Sequence, residues 1–216
     1  IITDLSEYEI DILYQYGYPY EIEIDDVKEF YQDRLSKPSE HPYEKNEECT
    51  GGSGGSGSFV PAVPSNFNLG SQGGYLTYNE MLAELDAMYA QYPNIISQRS
   101  PISNFNTYEG RPIFHAKISD NPNSNDAGEP NVLYTAIHHA REPMSLMETI
   151  FYMWYLLENY GIDDEVTYLV DHTRMFFVPC LNPDGYIYNE DEDPNGGGMW
   201  RKNRRDHPNS NNFGAD

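Results

Sequence analysis

His139 and Glu142 stand three residues apart in the run Ala136-Ile137-His138-His139-Ala140-Arg141-Glu142, where an apolar stretch from Val132 to Ile137 meets the start of a helix. An imidazole nitrogen and a carboxylate oxygen held on one rim can converge on a single cation, and that donor pair suits Zn²⁺. The chemistry indicated is therefore metal-assisted. The spacing H-x-x-E is a weak signal by itself, because a pattern with two fixed letters arises by chance in many chains. Standing alone, His139 reads as a satisfied core histidine. His138 reads as structural, since neighbouring side chains on a strand face opposite sides.

A second chemistry-bearing cluster is Arg201-Lys202-Asn203-Arg204-Arg205. Guanidinium groups carry a permanent charge and fixed donors. Lys202 and Arg205 read as a solvated basic patch. Asn182 to Gly185 reads as a turn by composition, with Pro183 and Gly185 setting backbone angles. Cys180 ends an apolar run and reads as a small buried thiol, and a bridge to Cys49 has no support in the sequence.

Several elements must position these groups. Thr77-x-x-Glu80 is a capping box, and Met81, Leu82, Leu85, Met88, Tyr89 and Tyr92 follow at helical spacing until Pro93 stops them. Ile95 to Ile102 and Pro112 to Ser119 read as two strands joined through Glu109-Gly110. Val132 to Ile137 is a continuous apolar run, expected as a strand buried on both faces; Ser145 to Tyr160 is expected to be helical and Met175 to Pro179 to be a central strand. Strands separated by helices imply an α/β layer fold, and ligands in such sheets gather beyond the carboxyl ends of strands, where His139 and Glu142 lie.

The first 50 residues carry 14 acidic and 4 basic side chains. Within them Ser6-x-x-Glu9 should open a helix with Ile10, Leu13 and Tyr14 on one face, Tyr20 to Ile24 alternates as a strand, and Asp26-x-x-Glu29 should open a second helix. Gly51 to Ser58 is a glycine-serine run that behaves as a flexible coil. The expected division is 1–50, a linker and lead-in over 51–72, and a larger domain over 73–216. Over the whole chain 13 basic and 35 acidic residues give a net charge of −22, which disfavours nucleic acid and anionic membranes as partners. Hydrophobic residues at 38% suffice for a sizeable core, and no apolar run has the roughly 18 to 20 residues a membrane-spanning helix needs.

Three segments in order resemble the zinc carboxypeptidases of the carboxypeptidase A/T type. The run Ala136 to Glu142 looks like their first metal-binding segment, Asn182-Pro183-Asp184-Gly185-Tyr186 like their N-P-D-G-[FY] turn, and Trp200-Arg201-Lys202-Asn203-Arg204 like their W-R-K-x-R stretch. The resemblance spans about residues 73 to 216. It implies an α/β fold, an incomplete three-layer α/β/α arrangement with a mixed central sheet, preceded by the remnant of a small α/β pro-segment. It implies a zinc metallocarboxypeptidase that hydrolyses carboxy-terminal peptide bonds, with His139 and Glu142 as metal ligands and Asp216 as the acceptor that orients His139. Arg201 would hold the oxyanion, and Arg141 would line the subsite on the amino-terminal side of the cleaved bond.

Phe213-Gly214-Ala215-Asp216 matches the family's G-[VA]-D-x-N-R-N segment just before its Asn-Arg pair. The resemblance therefore implies a fragment that is inactive in isolation, with a zinc His, a capping Tyr, a general-base Glu and the Asn-Arg pair lying beyond residue 216. A secreted, monomeric zymogen acting on the carboxy-termini of peptides or proteins is the implied whole. Two other readings stay open at this point: an amidohydrolase of the same superfamily acting on acyl amino acids, and a non-catalytic binding module that retains the fold.

Overall fold

The computed structural model describes residues 5, 7–26, 29, 62–124, 128–206, 214 and 215. Asp216, Cys49, Ser6 and the glycine-serine run lie outside the described residues. The chain separates into two compact units, one within Ile1–Tyr43 and one within Glu44–Asp216.

In the first unit, α1 (Glu7–Gln15) is the expected helix. Ile10 and Leu13 are partly covered, but Tyr14 is 77% exposed rather than on the covered face. Gly17 closes the helix at φ 68°, a left-handed angle that glycine adopts without a Cβ clash, and the Tyr18 N–H reaches back to the Leu13 carbonyl at 3.0 Å. Tyr20 to Ile24 does not form the expected strand: these residues are coil with a bend at Glu23, all exposed. Alternation alone does not make a strand, because each edge needs a hydrogen-bonding neighbour, and the described residues of this unit offer none. The Glu29 N–H donates to Asp26 Oδ1 at 2.9 Å, the cap expected there.

The second unit opens with α2 (Tyr78–Gln91), whose capping box is complete. The Glu80 N–H donates to Thr77 Oγ1 at 3.2 Å, and the Thr77 N–H donates to Glu80 Oε2 at 2.8 Å. Thr77→Ala removes the acceptor for an otherwise orphaned donor and should cost about 1 kcal/mol. That loss would lower the midpoint of thermal unfolding by roughly 2–4 °C in calorimetry. Met81, Leu85 and Met88 bury the inner face.

Four strands form one mixed sheet in the order β1-β2-β4-β3: β1 (Ser100–Pro101), β2 (Phe114–Ile118), β3 (Asn131–Thr135) and β4 (Arg174–Val178). β1 and β2 are antiparallel, as are β2 and β4, whereas β3 runs parallel to β4. Parallel neighbours need a crossover, here supplied by α3 (Pro143–Asn159) and α4 (Asp164–His172). In β4, Arg174, Met175, Phe177 and Val178 are all buried; since neighbours face opposite sides, both faces of this central strand are covered.

Two further strand expectations are corrected. The strand expected over Ile95 to Ile102 shrinks to the two residues of β1, with an isolated bridge from Ile96 to Ile118. Pro101 lacks an N–H, which confines the pair to the sheet edge. The strand expected to be buried on both faces is instead β3, an edge strand among the described residues, with alternating exposure and Leu133 65% exposed. Apolar composition without a second neighbour does not bury a strand.

The core gathers β2 and β4 with the inner faces of the helices: Ile118, Phe177, Met81, Leu85, Ile150, Met153 and Trp154 are essentially inaccessible. Trp154 satisfies its indole N–H on Glu84 Oε2 at 2.7 Å. Cys180 is a free buried thiol, as expected. Asn182 to Gly185 is not a free-standing turn, for it opens α5 (Pro183–Glu192), with Asn182 as N-cap and Pro183 in the first turn.

Glu190 on α5 accepts the Tyr78 N–H at 2.6 Å, and burial pushes its carboxyl from the ordinary 4.5 up to about 7. The unfolded chain ionises this group near 4.5 at no such cost. Its contribution to stability is therefore fully present below about pH 4.5 and lost as pH rises through about 7. Melting curves across that window should fall less with pH for Glu190→Gln than for the parent chain. Equal slopes would show that Glu190 ionises without penalty.

Candidate active site

The chain leaves β3 by an abrupt change of backbone. Ala136 continues the ladder, donating to the Val178 carbonyl at 3.0 Å and accepting from the Leu181 N–H at 3.0 Å. Ile137 then takes φ 46°, a left-handed angle that a β-branched residue adopts only at a cost of order 1–3 kcal/mol. It is clamped from both sides: its N–H donates to Ser145 Oγ at 3.1 Å, and its carbonyl accepts the Asn182 N–H at 3.0 Å. The kink turns His138 and His139 over the carboxyl end of the sheet instead of letting them continue along it.

Glu142 is the N-cap residue of α3, yet its side chain makes no capping bond. The carboxylate turns to His139 instead, with Nδ1 3.0 Å from Oε1 and 3.1 Å from Oε2. Arg201 completes the group, donating from Nη1 to Glu142 Oε1 at 3.0 Å and from Nη2 to His139 Nε2 at 2.9 Å. Because guanidinium only donates, Nε2 must be the acceptor, which puts the ring hydrogen on Nδ1 facing the carboxylate. The side chains are 29% (His139), 50% (Glu142) and 33% (Arg201) exposed, so the group faces solvent from a shallow rim.

The three residues that the sequence placed in chemistry thus meet at one point, although 59 residues separate Glu142 from Arg201. His138 lies apart from that contact, its Nε2 2.8 Å from Thr135 Oγ1. Arg141 is half-buried on the same loop. Lys202 and Arg205 are exposed, as a solvated patch requires. A cleft of about 530 Å³ opens beside the site, bordered by Tyr108, His138, His139, Asn182, Arg204 and Arg205.

As a metal site, the pair offers an imidazole nitrogen and a carboxylate already converged to hydrogen-bond distance. A cation between them would replace that bond with two coordination bonds, and the donor types suit Zn²⁺. No third His, Cys, Asp or Glu joins them among the described residues. The residues present fit two protein ligands of a zinc centre.

Sequence reasoning passed over the polar framework behind the site. Asp184 is 3% exposed and accepts from Thr107 Oγ1 (2.8 Å), the Glu109 N–H (3.0 Å) and Arg111 Nη1 (2.8 Å). Gly110 at φ 87° makes the tight turn that returns Arg111 to this carboxylate. Arg204 stacks over Tyr188 at 3.9 Å and Trp200 at 4.6 Å. Together these contacts hold the Thr107–Arg111 loop and the Trp200–Arg204 segment against α5. An aspartate between Pro183 and Gly185 reads as an exposed turn residue, so the sequence carries no signal of its burial.

The chain is similar to known proteins in sequence and in fold. The profile of the family described as zinc carboxypeptidase matches residues 81–216. A zinc carboxypeptidase from Saccharothrix mutabilis subsp. capreolus is 33% identical over 143 residues, which cover 66% of this chain and 31% of that protein. Human carboxypeptidase D is 33% identical over 141 residues, covering 65% of this chain and 10% of its own length. The carboxypeptidase A structure from Helicoverpa armigera superimposes with a TM-score of 0.62 at 24% identity, covering 94% of this chain and 43% of that one, a likeness of fold. The chain therefore spans about a third or less of the curated relatives it matches.

Proposed function

The chain belongs to the zinc carboxypeptidase family, and from that premise we propose that it is the amino-terminal part of a catalytic domain that removes carboxy-terminal residues from peptides. The observation that carries this reading is the convergence of His139, Glu142 and Arg201 within 3.1 Å of one another at the carboxyl end of the sheet. His139, through Nδ1, and Glu142 would hold Zn²⁺. What the metal supplies when bound is Lewis acidity, which lowers the pKa of coordinated water and polarises a carbonyl.

This chain's own residues do the rest of the work assigned to it. With Nδ1 given to a metal the ring hydrogen would sit on Nε2, which would not accept from Arg201. The guanidinium would then offer its donors to the scissile carbonyl oxygen as negative charge develops there. In this reading Asp216 would be the acceptor for the Nε2 hydrogen that fixes the ring plane. Arg141 contacts the peptide on the amino-terminal side of the cleaved bond. In this reading the general base and the group that binds the substrate's terminal carboxylate come from the part of the family's catalytic domain that this chain does not span.

In the same reading, residues 1–50 are the end of an activation segment, 51–72 are the linker through which cleavage releases it, and 73–216 are catalytic. The protein is a secreted, monomeric zymogen whose partners are peptide or protein carboxy-termini. Among the described residues no helix is long and apolar enough to cross a membrane.

The test uses a polypeptide extended past Asp216 to the length of the relatives, freed of residues 1–50. It should release the last residue from a peptide with a free carboxylate and leave the carboxy-terminal amide of that peptide intact. Cleavage of small acyl amino acids but of no peptide would overturn the peptidase reading in favour of an amidohydrolase.

A further inference from the structure

The two segments that carry His139, Glu142 and Arg201 do not meet by side chains alone. The Ala140 N–H donates to the Arg201 carbonyl at 2.9 Å, and α5 lies behind both segments and holds each by its backbone. Asn189 is 5% exposed and uses every arm of its amide. Nδ2 donates to the Ala140 carbonyl at 3.0 Å and to the Trp200 carbonyl at 2.8 Å, while Oδ1 accepts the Trp200 N–H at 2.8 Å. Asn182, two turns earlier on the same face, repeats the pattern, with Nδ2 3.3 Å from the His138 carbonyl and 3.2 Å from the Lys202 carbonyl.

Two glycines record how closely the parts fit. A Cβ on Gly185 would lie 2.6 Å from the Lys202 carbonyl oxygen and 2.8 Å from Ala140 Cβ, so helix and segments pack backbone to backbone. A Cβ on Gly198 would lie 2.6 Å from Asn189 Cβ and 2.7 Å from Cγ, so this glycine leaves the amide its room.

We propose that Asn189 is a positioning residue that sets the distance between the His139–Glu142 pair and Arg201, acting through the backbones of Ala140 and Trp200. The physical case is one of valence. A buried primary amide has two donors and an acceptor, three fixed partners consume them, and the partners are the residues adjacent to His139 and Arg201. No aliphatic side chain of the same size reproduces those bonds, and each abandoned carbonyl or N–H would have to shift to find another partner. Asn182, Gly185 and Asn189 stand at i, i+3 and i+7, one face of α5, so the helix presents a single bracket to the site.

The kinetic part of this inference rests on the zinc peptidase reading; the structural part does not. Asn189→Leu, in the polypeptide extended past Asp216, should lower kcat by roughly 10- to 100-fold with KM little changed, since a displacement of about 1 Å costs on that order. In the same protein stripped of metal, ¹⁵N spectra should show His139 as a single Nδ1-protonated tautomer in the parent and as a mixture in Asn189→Leu. Gly198→Ala, which displaces the amide while keeping it, should move both readouts in the same direction and decides the matter if the leucine variant does not fold. A lowered melting temperature with kcat and the His139 tautomer unchanged would overturn the proposal and leave Asn189 as ordinary packing. If the parent protein neither binds zinc nor cleaves peptides, the peptidase reading fails, and the tautomer alone decides whether Asn189 positions the site.

Discussion

Replacing Glu142 with Gln is expected to weaken zinc binding by well over the ~10- to 100-fold that loss of a hydrogen-bonded supporting residue costs. As a zinc ligand Glu142 would give a carboxylate, and Gln keeps its shape while removing its charge and one good oxygen donor. The fold should barely register the change. The carboxylate is half exposed and caps no helix, so its removal leaves no buried group unsatisfied and should shift stability by no more than about 0.5 kcal/mol. Competition against a chromophoric chelator measures the affinity, and calorimetry of the metal-free protein measures the fold. Unchanged zinc affinity in Glu142→Gln would remove this carboxylate from the metal centre.

The second large effect belongs to Arg201. In Arg201→Ala, kcat for peptide hydrolysis should fall by about 10²–10³, the usual cost of deleting one donor to a developing oxyanion. KM should change far less, because the interaction strengthens in the transition state rather than on binding. Lysine should rescue little. A single ammonium on a flexible stem does not present the planar pair of donors that a guanidinium offers a developing oxyanion. A raised KM at constant kcat would instead make Arg201 a ground-state binding residue.

How far the sequence revealed this arrangement depends on whether the signal was local. The cap and periodicity of α2 were legible because Thr77, Glu80 and the apolar stripe are all set within one helix. The central strand β4 was legible because burial on both faces demands an uninterrupted apolar run. The same logic misread β3, whose composition is as apolar but whose outer edge has no strand among the described residues. Burial depends on neighbours that a linear pattern does not contain. Tyr20 to Ile24 failed for the same reason.

At the site, His139 and Glu142 were marked by type and spacing, while the family resemblance gave Arg201 its role and joined the two segments. Two features escaped. The left-handed backbone at Ile137 runs against the preference of a β-branched residue, so no propensity argument reaches it; tertiary bonds from Ser145 and Asn182 hold it there. The role of Asn182 was hidden because Asn followed by Pro is both a turn signal and a helix-start signal. Only the buried Asn189 two turns later distinguishes them, by marking a helical face turned inward.

The central claim is that His139 and Glu142 hold a zinc ion. Metal analysis of the polypeptide extended past Asp216, alongside its His139→Ala variant, tests it most directly. The account predicts about one tightly held zinc per chain in the parent and almost none in the variant, as loss of one of its few protein ligands requires. An equal zinc content in the two proteins, or none in the parent, would contradict it.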